Sequence, residues 1–149
     1  TTGFPFWAAM GAKEVGGTSI GFSPASNEKE HAEVFKLPLD FMDVIIYTGF
    51  GYPGRDLMLV RASDAIIEGP GRIGTFHEFT VAYEDHKPIG ILESDDWDTD
   101  EIIKTILDKS HREVKDIIWD KDPKRLVERL IEIVKKNKVN DTFVENPYI

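Results

Sequence analysis

The chain has 149 residues, 41% hydrophobic and 30% charged, the size and balance of one globular domain with a single substantial core. A formal net charge of -9 argues against general binding to a nucleic-acid backbone, which requires a basic surface. Without cysteine there are no disulfides, no thiolate metal site and no cysteine nucleophile, and no apolar run approaches the ~18 residues of a membrane span. No signal peptide is recognisable, so the expectation is a cytoplasmic protein that engages neither nucleic acid nor membrane.

Taken in order, Pro5 suits the first turn of a helix over 6–15, which Gly16 and Gly17 stop. Residues 18–23 read as a short apolar strand. Ser26 and Asn27 are placed to cap a brief helix through Val34. Residues 43–48 read as a second, buried strand, 49–54 as a loop rich in turn residues, and 55–62 as a helix. Ile66 and Ile67 form a third strand, and a helix covers 75–85. Residues 88–92 are apolar without alternation, as buried parallel strands are. An acidic loop over 93–100 precedes a helix over 101–109 with Ile102, Ile103, Ile106 and Leu107 on one face. A fifth strand is expected over 114–119. Asp122 and Pro123 then start a last helix with Leu126, Leu130, Ile133 and Val134 as its apolar stripe. Residues 137–149 read as irregular, with Phe143, Val144, Tyr148 and Ile149 available to pack on a neighbour.

Helices and short buried strands alternate, which predicts an open parallel α/β sheet with helices on both faces, a Rossmann-like single domain over 1–149. The first helix follows a glycine turn that in such folds follows a strand. A leading strand–helix unit is therefore expected to be missing, and the chain is expected to expose an unpaired sheet edge.

The segment E-G-P-G-R-I-G-T-F-H-E over 68–78 lies between a strand and a helix. A helix N-terminus offers unpaired amides and a partial positive charge, and glycines admit a close phosphate. Gly69, Pro70, Gly71, Arg72, Ile73, Gly74 and Thr75 are the candidate phosphate-binding residues. Gly69-x-Gly71-x-x-Gly74 also fits a dinucleotide fingerprint, with Glu93 as ribose-binding acid, although the third strand is not where that fingerprint belongs. Thr75 and Glu78 alternatively form a capping box. Arg55 is either a solvated first-turn residue or a clamp on a phosphate, since loops after neighbouring parallel strands open at one edge. In the second case Glu78 faces the same pocket, where a carboxylate can stabilise an oxocarbenium-like centre or activate water. The four histidines show no metal spacing, and His77 stands beside the loop. Asp95, Asp96, Asp98 and Asp100 read as a solvated acidic loop or a cation site. Phe6 and Trp7 read as core or as a lid over a base.

Gly11-Ala-Lys-Glu-Val-Gly-Gly17, Ile20-Gly-Phe-Ser-Pro24, Tyr47-Thr-Gly-Phe-Gly51, Gly54-Arg55, Leu59-Val-Arg-Ala-Ser-Asp64 and Gly71-x-x-Gly74-Thr-x-x-Glu78 occur together and in this order. The combination resembles the LONELY GUY (LOG) and "lysine decarboxylase-like" Rossmann proteins. It is nearest to their prokaryotic nucleotide-binding branch related to the molybdenum-cofactor carrier. The resemblance implies a phosphate loop over 70–75, a catalytic Glu78, an Arg55 that completes the site, and Gly3 as the last glycine of a second phosphate-side turn. It implies cleavage of a nucleoside 5'-monophosphate into base and ribose 5-phosphate, with no required cofactor, or carriage of a nucleotide or molybdopterin-type ligand. It also implies a homodimer. Two departures bear on catalysis more than on binding: Arg72 replaces the second glycine of P-G-G, and Tyr52-Pro-Gly-Arg55-Asp56 stands in place of M-H-E-R-K.

Overall fold

The computed structural model describes residues 2–111 and 116–138. Helix α1 (Phe4–Glu14), with Pro5 in its first turn, leads to strand β1 (Ile20–Ser23). A short π-helical turn (Glu30–Val34) follows, where Asn27 Oδ1 accepts the Glu30 amide at 2.9 Å. Then come β2 (Val44–Tyr47), α2 (Gly51–Ala62), β3 (Ile66–Glu68) and α3 (Ile73–Glu84). The chain continues through β4 (Ile89–Leu92), α4 (Thr99–Lys109), β5 (Ile117–Asp120) and α5 (Pro123–Asn137). The expected alternation is present, and every strand pair among the described residues is parallel.

The core lies on both faces of β4. Val60, Phe79, Ala82, Ile89, Ile91 and Ile103 close one face under α2, α3 and α4. Ile118, Leu126 and Leu130 close the other under α5. Asp122 caps α5 by accepting the Arg125 amide at 3.0 Å, as its position before Pro123 dictates. Asp120, at the end of β5, is buried yet held by Arg125 and Arg129, which keep its carboxyl well below the usual carboxylate range.

Several expectations are corrected. The parallel strands form two ladders rather than one sheet, β1-β2 and β3-β4-β5. β2 is not buried on both faces: Val44 and Ile46 are exposed and alternate with half-buried neighbours, as on an edge strand. Helix α2 starts at Gly51, because Gly51 adopts φ 64° and Pro53 is tolerated in a first turn. Ile102 is exposed, while Ile103, Ile106 and Leu107 face the core. The fifth strand begins at Ile117. Residues 114 and 115 of its expected span, and the irregular tail beyond Lys138, lie outside the described residues. Among the described residues no helix is long and apolar enough to cross a membrane.

Candidate functional site

A cleft of about 790 Å³ opens at the first turns of α1 and α2, whereas neither Gly3 nor any of residues 69–75 is among the residues that line it. Phe4 and Pro5 of α1, Tyr52 and Arg55 of α2, and Glu78 of α3 all line it. This is the carboxyl edge of the strands, where the open backbone amides of helix starts favour an anion.

Arg55 and Glu78 meet there, as the topology suggests. Arg55 Nη1 donates to Glu78 Oε1 at 2.9 Å, and each side chain is only 18% exposed. Helix period explains the aim. Glu78 lies one turn before Ala82 and Asp56 one turn before Val60, both core residues, so both carboxylates point inward. Strand period does the same for Glu68. Ile66 packs on the core beneath α2 and α3, and Glu68, two residues on, shares that face.

The result is a compact charge cluster. Arg55 Nη2 stands 2.9 Å from Asp56 Oδ1, an ion pair whose angle leaves Oδ1 without a hydrogen bond. His77 Nδ1 lies 2.9 Å from Asp56 Oδ2. Glu68 is 3% exposed, and its Oε1 has no partner among the described residues. Burial, reinforced by the Glu78 and Asp56 carboxylates, pushes the Glu68 carboxyl well above its ordinary value. Burial likewise raises Glu78 to about 7, against the pull of Arg55 and with a push from Asp56.

Asp56 and Glu68 were not singled out from the sequence. The usable signals were a charged residue one turn ahead of a core position and a carboxylate ending the apolar Ile66–Ile67 run.

The capping-box alternative is not formed. Helix α3 starts at Ile73, so Thr75 is its third residue and Glu78 its sixth, and no side chain caps it. Glu78 is thereby left to Arg55.

The glycine loop works differently from a phosphate nest. None of Gly69, Gly71 or Gly74 has a positive φ. A Cβ on Gly69 would lie 2.7 Å from the Phe4 ring, and one on Gly71 would lie 1.9 Å from Thr75 Oγ1. These two glycines exist for close packing. The Gly71 amide donates to Thr99 Oγ1 at 3.0 Å, and that hydroxyl donates back to the Gly71 carbonyl, also at 3.0 Å. The Thr75 amide donates to the Arg72 carbonyl at 2.9 Å. Ile73 and Gly74, the first two residues of α3, carry amides with no intrahelical acceptor. Space beside Gly74 is open, while Arg72 and Ile73 are exposed and Pro70 half-buried. Gly3 precedes α1 with φ 70°, and Gly49 and Gly51 flank the start of α2 with φ 70° and 64°. The left-handed glycines therefore open α1 and α2 instead of α3. We expect Gly69→Ala to lower stability in chemical denaturation by about 2 kcal/mol, and Phe4→Ala in the same chain to relieve most of the clash.

The dinucleotide alternative loses its acid, because Glu93 pairs with Lys104 at 2.8 Å. The acidic loop is likewise held by lysines, with Lys121 on Asp95 and Lys104 on Asp100. Phe6 packs edge-on against Phe41, and Trp7 is 61% exposed along the cleft.

Residues 1–127 match the SLOG cluster4 family. An uncharacterised protein of Archaeoglobus fulgidus is 32% identical over 85 residues, 57% of this chain and 50% of that protein. The chain thus spans about half the length of that curated relative. The molybdenum cofactor binding protein of the phototrophic bacterium Rippkaea orientalis has a similar structure, with TM-score 0.65 and 27% identity over 85% of this chain and 69% of that one. The structural-genomics target TM1055 is similar in fold, with TM-score 0.61 and 24% identity over 90% of this chain and 73% of its own.

Proposed function

Because the chain belongs to the SLOG cluster4 family, we propose that it binds a nucleotide or a related phosphorylated cofactor at the carboxyl edge of its strands. The observation that carries this reading is the Arg55–Glu78 pair, 23 positions apart in sequence and 2.9 Å apart at the mouth of the cleft. The charge balance supports an anionic ligand. Burial shifts the Glu68 and Glu78 carboxyls upward, which lessens the negative charge beside Arg55, and the helix starts add partial positive charge.

In the enzymatic form, the ligand is a nucleoside 5'-monophosphate. Arg55 orients the ribose phosphate, while the amides of Ile73 and Gly74 and the turn at Gly3 meet phosphate oxygens. Water adds to the ribose anomeric carbon as its bond to the base breaks. Glu78, poised near 7, takes the proton from that water while its carboxylate steadies the positive charge growing on the ribose, and a proton passes to the departing nitrogen so that the base leaves neutral. The products are free base and ribose 5-phosphate, and no step calls on a metal. A homodimer, which rests on the family resemblance, and a cytoplasmic location belong to the same proposal.

A second reading is a non-catalytic carrier, favoured by the likeness to a molybdenum cofactor binding protein. The site's polar groups fit one anionic group beside a largely apolar wall, which suits a pterin phosphate held as cargo.

Incubation with a panel of nucleoside 5'-monophosphates, followed by chromatography for free base, separates the two. Base release identifies the hydrolase and its substrate. No release from any nucleotide by a folded protein overturns the hydrolase form, and a ligand retained through purification, seen by native mass spectrometry, then identifies the carrier.

A further inference from the structure

An arginine that served only to neutralise Glu78 would grip it with two parallel N–H bonds, the arrangement that guanidinium and carboxylate favour. Arg55 does not. One hydrogen bond, from Nη1 to Oε1 at 2.9 Å, joins it to Glu78. Nη2 stands 2.9 Å from Asp56 Oδ1 instead. Nε is buried without a hydrogen-bond partner among the described residues. The guanidinium is thus divided between carboxylates on two helices, and Glu78 Oε2 takes no hydrogen bond from it.

Asp56 is divided in its turn. It is 3% exposed and set inward by its place one turn before Val60, so it cannot swing into solvent. While Oδ1 faces Arg55, Oδ2 lies 2.9 Å from His77 Nδ1, which is the donor because a carboxylate only accepts. A chain of shared partners results: His77, Asp56, Arg55, Glu78. Helix α2 supplies the middle pair and α3 the outer pair. The other titratable group close to these carboxyls is Glu68, at the end of β3. Neither Asp56 nor His77 lines the cleft, so both act through Arg55 and Glu78.

The division has an electrostatic consequence. A carboxylate gripped on both oxygens by arginine is held ionised with its lone pairs engaged, which makes it a poor base. We propose that Asp56, anchored by His77, is the positioning residue of this site: by occupying Nη2 it denies Glu78 a two-point grip and keeps Oε2 available to take a proton. In turnover that proton comes from the water that adds to the ribose, and this part rests on the hydrolase reading. The division of Arg55 does not.

The chain predicts effects of alternating sign on Glu78. Without the Asp56 charge, Arg55 serves Glu78 alone and holds it ionised more firmly. Without His77, both Asp56 oxygens turn to Arg55, and Glu78 is held less firmly. Carbon-13 NMR of protein labelled at its glutamate carboxyls reads this with no ligand present, and Glu78→Gln assigns the signal. Wild-type Glu78 is expected to titrate at about 7. In Asp56→Asn its midpoint is expected at least about one pH unit lower, and in His77→Ala at least about half a unit higher. The His77 side chain is 42% exposed, so its removal leaves the core intact, and this variant carries the test alone if Asp56→Asn does not fold. General loosening of the site would instead bring Glu78 down toward 4.5 in both variants. A lower or unchanged midpoint in His77→Ala overturns the proposal, as does an unchanged or higher one in folded Asp56→Asn. With a nucleoside 5'-monophosphate that releases base, the acidic limb of kcat is expected to move with the same two signs. If the midpoints alternate and no nucleotide releases base, the positioning chain stands and the hydrolase reading falls.

Discussion

In the proposed hydrolase form, Glu78→Gln is expected to reduce release of free base from the preferred nucleoside 5'-monophosphate by at least about 100-fold, the usual worth of a positioned general acid or base. Glutamine keeps the shape of the side chain and can still accept the Arg55 hydrogen bond. What it loses is the exchangeable proton, and the buried carboxyl near 7 is the group best matched to proton transfer at neutral pH. The loss is therefore expected in kcat, with ligand affinity changed only a few-fold. Free base quantified by chromatography, beside ligand binding by calorimetry, checks both halves. If turnover survives the substitution, Glu78 moves no proton and its role is confined to holding Arg55.

Stability is expected to fall as pH rises from about 4.5 to about 7, the reverse of the behaviour that ion-paired carboxylates produce. An unfolded glutamate titrates near 4.5, whereas the folded Glu78 holds its proton to about 7. Below pH 4.5 both states are protonated, and the contribution of the buried neutral carboxyl is fully present. Across the window the unfolded state releases its proton first, which favours unfolding by about 1.4 kcal/mol per pH unit, or about 3 kcal/mol in all. Glu68, raised in the same direction by deeper burial, steepens the fall. The carboxyls of Glu30, Asp43 and Asp120 are shifted downward and act only on acidification below that window. Urea denaturation at half-unit steps from pH 4.5 to 7.5 measures the slope. Glu78→Gln should remove most of it and Glu68→Gln a further part, while an unchanged slope in both variants would rule out the buried neutral carboxyls as its source.

The two effects have one origin. Packing Arg55, Asp56, Glu68 and Glu78 beneath the helix starts costs stability at neutral pH, and the same burial brings Glu78 to a protonation state useful for chemistry. Surface ion pairs elsewhere, such as Lys29–Glu33 and Lys124–Glu128, are exposed and contribute little to either.

The residues themselves determined the alternation of elements. Apolar period set the core faces of α4 and α5, Asp122 and Pro123 started α5, and the unbroken apolar run at Ile89–Leu92 marked a strand buried on both faces. Those signals are local, because each reflects a side-chain pattern within about ten residues. The Arg55–Glu78 partnership was inferable as well, since parallel topology brings successive loops to one edge. Three features were decided only by tertiary contact. Whether Thr75 and Glu78 cap a helix depends on where α3 begins, and its start at Ile73 moves both residues inside. The reasons for Gly69 and Gly71 lie in Phe4 and Thr75, the first of them 65 positions away along the chain. The depth at which Asp56 and Glu68 lie, and the upward shift of the Glu68 carboxyl, come from the packing of α2, β3 and α3 together. Spacing in the sequence encodes which face a residue takes. Only the packed neighbours determine how far water is excluded from it, and that exclusion sets the charge of the site.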